Sequence, residues 1–218
     1  MPDSQPSWRV LEPMDRISEV LFGLIMVLTF TCTLGVVTAD ALAVHTMVIA
    51  ALGCNLAWGI IDGGVFLMAR LNERGRKLRT FRAVHDTGDA GAARRALADA
   101  LPPLLASTLT TEQLETMRRQ VLAMPDAPAR PGLTSRDWLG ALSICLLSFL
   151  STLPVVIPFM AIGEPRLALR VSNLVAVAML FLCGYAYGRH SGVSRWGAGL
   201  AMVAVGAVLV GIAIVLGG

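Results

Sequence analysis

Charge is scarce in this chain. Only 15% of its 218 residues are Asp, Glu, Lys or Arg, against 55% hydrophobic, and the mean hydropathy is +0.67. Soluble domains carry about a quarter charged residues, so this composition excludes an ordinary water-soluble fold and points to a membrane protein. Several signatures are absent as well. The four cysteines, Cys32, Cys54, Cys145 and Cys183, contain no CxxC pair and make no disulfide framework. Each sits inside an apolar run, where a thiol acts as a small hydrophobe or, as an alternative, a soft metal ligand. No HExxH, nucleophile elbow or Gly-rich phosphate loop occurs, and no nucleophile and base pair is visible, so no enzymatic activity is expected. The N-terminal MPDSQPSWRVLEPMDR has acids and prolines where a signal peptide has a basic region, so the first apolar run is expected to stay in the mature protein.

What the chain does have is five long apolar runs, at residues 20–39, 46–69, 138–163, 171–188 and 197–217. At 1.5 Å per residue each can cross a hydrocarbon layer of roughly 30 Å, given some tilt and allowing for the short fourth run. None alternates with period 2, so the runs predict membrane helices rather than a barrel, and the fold class is all-α.

Twelve of the eighteen Lys and Arg residues lie between Arg70 and Arg136, in the one long polar segment. A basic balance concentrated in this way is the positive-inside pattern, which argues against nucleic acid and places residues 70–136 in the cytoplasm. Arg9, Arg16, Arg189 and Arg195 fall on the same side, while Arg166 and Arg170 do not. The expected organisation is a cytoplasmic segment 1–19, membrane helices 1 and 2 within 20–69, a cytoplasmic helical insert 70–136, and helices 3 to 5 within 137–218. The C-terminus is then outside, and a tight external hairpin near Asp40 to His45 joins the first two spans.

Within the insert, LNERGRKLRTFRAV continues the second span, and its basic residues suit anionic lipid headgroups or cytoplasmic neighbours. A break follows at Gly88 to Gly91, then an alanine-rich helix, then a second break at Pro102 and Pro103. Thr110 caps a third helix whose Leu114, Met117, Val121 and Leu122 form an apolar stripe. Glu112 and Glu115 sit three apart, a spacing that lets two carboxylates share a divalent cation or, equally, lets Glu115 pair with Arg118 or Arg119.

Two polar residues interrupt the second run. Asn55 and Asp62 fall two turns apart on one helical face. Placing an ionised carboxylate near the middle of a bilayer costs about 2.5 to 3.5 kcal/mol on insertion scales, so Asp62 is expected to face the bundle, a cavity or a subunit interface. Three roles stay open for it: attracting a cation, carrying a proton, or accepting a hydrogen bond from a neighbour such as Arg16 or Trp58. Met26, Thr29 and Thr33 form a helical stripe in the first run that can present a thioether and hydroxyls to the same space, although threonines also satisfy themselves on their own helix. In the third run Pro154 and Pro158 lie one turn apart and release carbonyls, as in helices that bend around a pathway. Asn173 adds a polar group to the fourth, and Gly184, Gly188, Gly197, Gly206 and Gly211 suit close helix packing.

DRISEVLFGLIM, the hairpin, the polar second span, the helical insert, PVVIPF and GYAYGRHSG together resemble the vacuolar iron transporter family over nearly the whole chain. The resemblance implies five membrane helices, a homodimer, and export of Fe²⁺ or Mn²⁺ from the cytosol in exchange for protons, with no tightly bound cofactor. It matches Asp62 to the family's second-helix acid and Pro154 and Pro158 to its proline-bearing segment. It also exposes departures. In the family's F-G-x-x-D-G pattern this chain has Met26 in place of the acid and Val27 in place of the glycine. The insert, glutamate-rich in iron-transporting members, here holds seven acids against twelve bases. On this reading the metal-contacting candidates are Asp62, Asn55 and Met26, with Glu112 and Glu115 as a cytoplasmic loading site. A non-transporting dimeric scaffold or regulatory protein, or a carrier of another solute, stands as the alternative. The expected location is a bacterial-type inner membrane or its equivalent.

Overall fold

The computed structural model describes residues 11, 13–37, 41–125 and 130–215, and among them every regular element is a helix. In chain order these are α1 (Pro13–Val37), α2 (Ala41–Asp86), α3 (Ala90–Ala100), α4 (Pro103–Thr108), α5 (Thr111–Leu122), α6 (Ser135–Ala161), α7 (Pro165–Ser191) and α8 (Arg195–Val215). The described part of α2, together with α6, α7 and α8, supplies four helices long and apolar enough to cross a membrane.

Local chemistry sets the helix ends. Asp89 caps α3 by accepting from the amides of Gly91 (2.7 Å) and Ala92 (3.2 Å). The break expected at Gly88 to Gly91 is therefore shorter, because the cap draws Gly91 into the first turn. Pro102 and Pro103 separate α3 from α4, since the ring removes the donor a continuing helix needs. Thr110 opens α5 with a reciprocal capping box, its hydroxyl accepting from the Gln113 amide while Gln113 accepts from the Thr110 amide at 2.8 Å. Gly192, at φ 74°, ends α7 in the left-handed conformation that favours glycine.

Two expected boundaries shift, and one residue expected on an apolar stripe is exposed. Residues 41–45 of the hairpin already belong to α2, because Ala41, Leu42 and Ala43 are good helix formers with no breaker among them; residues 38–40 lie outside the described part. The fourth apolar run becomes a helix six residues early, at Pro165, where Glu164 accepts from the Leu167 amide at 2.9 Å. Leu122, expected on the α5 stripe, is 38% exposed at the last position of the helix.

The chain divides into two compact units, one formed by residues 1–66 and 136–218, the other by 67–135. In the first, buried polar side chains share the interior with apolar ones while many large apolar side chains face outward. Polar Thr31, Asn55, Ser148, Ser151, Thr152 and Ser172 are buried, whereas Leu142, Leu146, Leu150, Leu174, Leu182, Leu200 and Ile212 face outward. Such a surface would aggregate in water and suits lipid. Leu24, Val27, Ala51, Val155, Ala176 and Leu180 knit the interior. Close glycine packing holds α7 to α8: a methyl on Gly184 would meet the Ala198 carbonyl at 2.5 Å, and one on Gly188 would meet Arg195 Cα at 2.8 Å. Gly206 sits against Leu180, and Gly199, which the sequence did not single out, sits against Phe181. Gly211 touches nothing, and Gly197 only Ser194 in the turn just before its own helix. In the second unit Val84, Ala93 and Leu97 form a small core that Met117 and Val121 close, each large buried side chain contributing about 1.5 to 3 kcal/mol.

Candidate functional site

Three glycines position the helices around a cavity. A methyl on Gly23 of α1 would fall on the Ser151 side chain and lie 2.8 Å from the Ser148 carbonyl. One on Gly59 of α2 would lie 2.9 Å from the Cys145 carbonyl, and one on Gly63 would lie 2.9 Å from that of Ala141. Both α1 and α2 thus press backbone against α6, an approach only glycine permits at these points.

Beside these contacts lies a cavity of about 390 Å³ lined by Phe22 and Met26 of α1, Trp58 and Asp62 of α2, and Ser148 of α6. A carboxylate, a thioether and a hydroxyl thereby meet in one space walled by aromatic rings. No hydrogen bond or ion pair joins Asp62 to any other described residue, so neither Arg16 nor Trp58 satisfies it. Among the described residues the acceptor role has no partner.

Glu19 is the residue the sequence reading missed. It sits on α1 seven positions before Met26, hence on the same face, and the charge of Asp62 acts on it, with Asp15 adding a second negative charge. Its Oε2 is buried without a hydrogen-bond partner. The available signal was an acid two turns ahead of Met26, at the edge of an apolar run and easily assigned to the preceding polar segment. Asn55 is fully buried; its amide donates to the Ala51 carbonyl at 3.3 Å and its Oδ1 has no partner. It lies in the packed core and does not line the cavity. Asn173 likewise keeps an unpartnered buried Oδ1, on α7. All three orphaned buried side-chain atoms among the described residues are thus oxygens, acceptors without donors.

The other candidates divide. The Thr29 hydroxyl donates to the Ile25 carbonyl at 3.0 Å, inside its own helix, and the side chain of Thr33 lies outside the described residues. α6 continues through Pro154 and Pro158 to Ala161, and Ser172 of α7 donates to the Val155 carbonyl between them at 2.6 Å. In the second unit, Glu115 is gripped by arginines: Arg118 at 2.7 Å, with Arg94 and Arg119 each at 3.3 Å. The hydrogen bond from Arg118 is the largest cause that pulls its carboxyl down to about 2. Glu112 stands exposed one turn earlier, and no group of three or more His, Cys, Asp or Glu side chains placed to hold a metal occurs among the described residues.

The profile of the VIT family matches residues 79–218, nearly two thirds of the chain, covering most of the insert and the last three long helices. The chain belongs to the vacuolar iron transporter family. No curated protein matches it. Members of this family are membrane proteins that transport metal ions and are not enzymes, which agrees with the outward apolar surface and the polar groups buried among the helices. Asp62 and Glu19 precede the matched region, so the site rests on the geometry of this chain itself.

Proposed function

We infer that this protein is a proton-coupled transporter moving Fe²⁺ or Mn²⁺ out of the cytosol, with Asp62 as its central carboxylate. The observation that carries the reading is the cavity in which Asp62, without an internal partner, shares space with Met26 and Ser148 and interacts electrostatically with Glu19. Two like charges held near one another in a weakly polar setting favour sharing a proton or a cation. A divalent ion neutralises both. On return, the same carboxylates take up protons from the far side, so one ion exchanges for up to two protons.

Met26 stands where the family has an acid and supplies a soft contact that suits a transition metal over Mg²⁺ or Ca²⁺. Asn55, two turns before Asp62 on α2, is the auxiliary polar group, its unpartnered Oδ1 buried in the core beside the cavity's helices and not in its lining. At the proposed Glu112–Glu115 loading site Glu115 is committed to guanidinium groups, which leaves Glu112 as the carboxylate open to an ion. In this reading α1 is the fifth membrane helix, residues 70–136 face the cytoplasm with the N-terminus, the chain works as a homodimer, and the membrane is a bacterial-type inner membrane or equivalent.

Proteoliposomes loaded with a metal-sensitive dye and, separately, a pH dye test this directly. Fe²⁺ or Mn²⁺ flux with opposite proton movement is expected for the wild type, with flux lost in Asp62→Asn. Equal flux in both would remove Asp62 from the mechanism, and flux without pH change would reject exchange.

A further inference from the structure

The second unit contains a pocket that the transport reading does not use. It measures about 380 Å³ and is lined by Glu73, Arg76, Lys77, Thr80 and Phe81 of α2, with Ala100 and Val121 closing the far side. Residues 73, 76, 77 and 80 recur at three- and four-residue steps, so one stripe of α2 supplies all its polar groups.

The charged side chains that line the pocket are Arg76 and Lys77 against Glu73. Between Arg70 and Arg82 the chain has six cations against one acid, Glu73. That acid is already engaged, by Arg70 at 3.3 Å and Lys77 at 2.8 Å. Arg76 has no hydrogen bond or ion pair from its guanidinium to any described residue. Lys77 uses one donor on Glu73 and keeps others. The Thr80 hydroxyl makes a long bond of 3.3 Å to its own helix, which a stronger acceptor can replace. The wall behind them is fixed: Phe81 stacks on His85 at 4.3 Å, and His85 Nε2 lies 3.1 Å from the Val121 carbonyl, tying α2 to α5.

The geometry points to a binding site for a phosphate-bearing anion, with Arg76 as its principal ligand and Lys77 and Thr80 as supporting donors. A planar guanidinium with five donors matches phosphate oxygens two at a time, which an ammonium cannot do. A water occupies about 30 Å³ of liquid, so the pocket holds far more than a bare phosphate and admits the group esterified to it. That group can belong to a soluble phosphate ester or to a lipid headgroup. The inference is independent of the transport reading.

Calorimetry on the full-length protein in detergent, with inorganic phosphate and with short-chain phosphatidic acid as probes, tests it at constant ionic strength. Saturable binding of either probe is expected, weakened about tenfold or more in Arg76→Ala and unchanged in Arg79→Ala, which removes the same charge from outside the pocket. Binding of phosphate that competes with phosphatidic acid assigns a site open to soluble esters. Binding of phosphatidic acid alone assigns a headgroup site. No binding of either probe beyond a chloride control, or equal losses in the two variants, would overturn the proposal.

Discussion

Glu19 on α1 and Asp62 on α2 hold their carboxylates within electrostatic reach of one another, beside a cavity that Met26 shares with Asp62. The two acids come from different helices, forty-three positions apart in sequence. The proposed transport mechanism rests on this pairing, because the charge of Asp62 acts on Glu19.

If the pair acts as a unit, its members will not be additive. Asp62→Asn is expected to lower metal flux by about a hundredfold and Glu19→Gln by about tenfold, with the double variant no worse than Asp62→Asn alone. Initial flux rates in proteoliposomes measure this. Losses that simply multiply would mean that the two carboxylates work separately.

The glycine contacts make a contrasting prediction about stability. Gly59→Ala drives a methyl to 2.9 Å from the Cys145 carbonyl and 3.0 Å from its Cα, atoms of a helix backbone that has little freedom to yield. A cost of about 1 to 3 kcal/mol is expected, read as a lower melting temperature in detergent, together with reduced flux as α2 moves from α6. Gly64→Ala meets nothing within 4 Å and is expected to be neutral or to stabilise by up to about 1 kcal/mol. A reversed order between these neighbours would show that α2 and α6 do not pack as described.

Acid should loosen the second unit in a defined window. The carboxyl of Glu115 lies at about 2 in the folded chain, below its ordinary 4.5, so its contribution is present above 4.5 and disappears as the pH falls toward 2. Asp89, lowered chiefly by the amides it caps, acts in the same direction. Hydrogen exchange in α3 and α5, corrected for intrinsic rates, should lose protection across that range. Glu115→Gln should show lower protection at neutral pH and a shallower acid dependence, with the remainder due to Asp89 and to Glu73, which its hydrogen bond from Lys77 also lowers. An unchanged pH profile in the variant would mean that the arginine cluster contributes nothing to the docking of α3 on α5.

The helices and the site differed in how far the sequence revealed them. The apolar runs, the proline breaks and the Thr110 cap are local: each depends on residues within one or two turns, so the order of side chains specifies them. Asp62 was legible for a similar reason, since an acid inside an apolar run must be sheltered wherever the run goes. Glu19 was not, because an acid at the end of a run looks like the start of the polar segment until another helix is placed against it. The pair Glu112 and Glu115 shows the converse. Their spacing suited a cation, but Arg94, twenty-one residues before Glu115 and on another helix, joins Arg118 and Arg119 on that carboxylate.

From the sequence alone came the all-helical class, the membrane composition and the acid that lipid cannot accommodate, because hydropathy and helix signals act over short distances along the chain. The tertiary structure decided which side chains meet. Met26 joins Asp62 in one cavity, Glu19 comes within reach of the charge of Asp62, and Gly23, Gly59 and Gly63 let three helices close around the space. These depend on contacts between segments far apart in sequence, and such contacts form only when the helices pack.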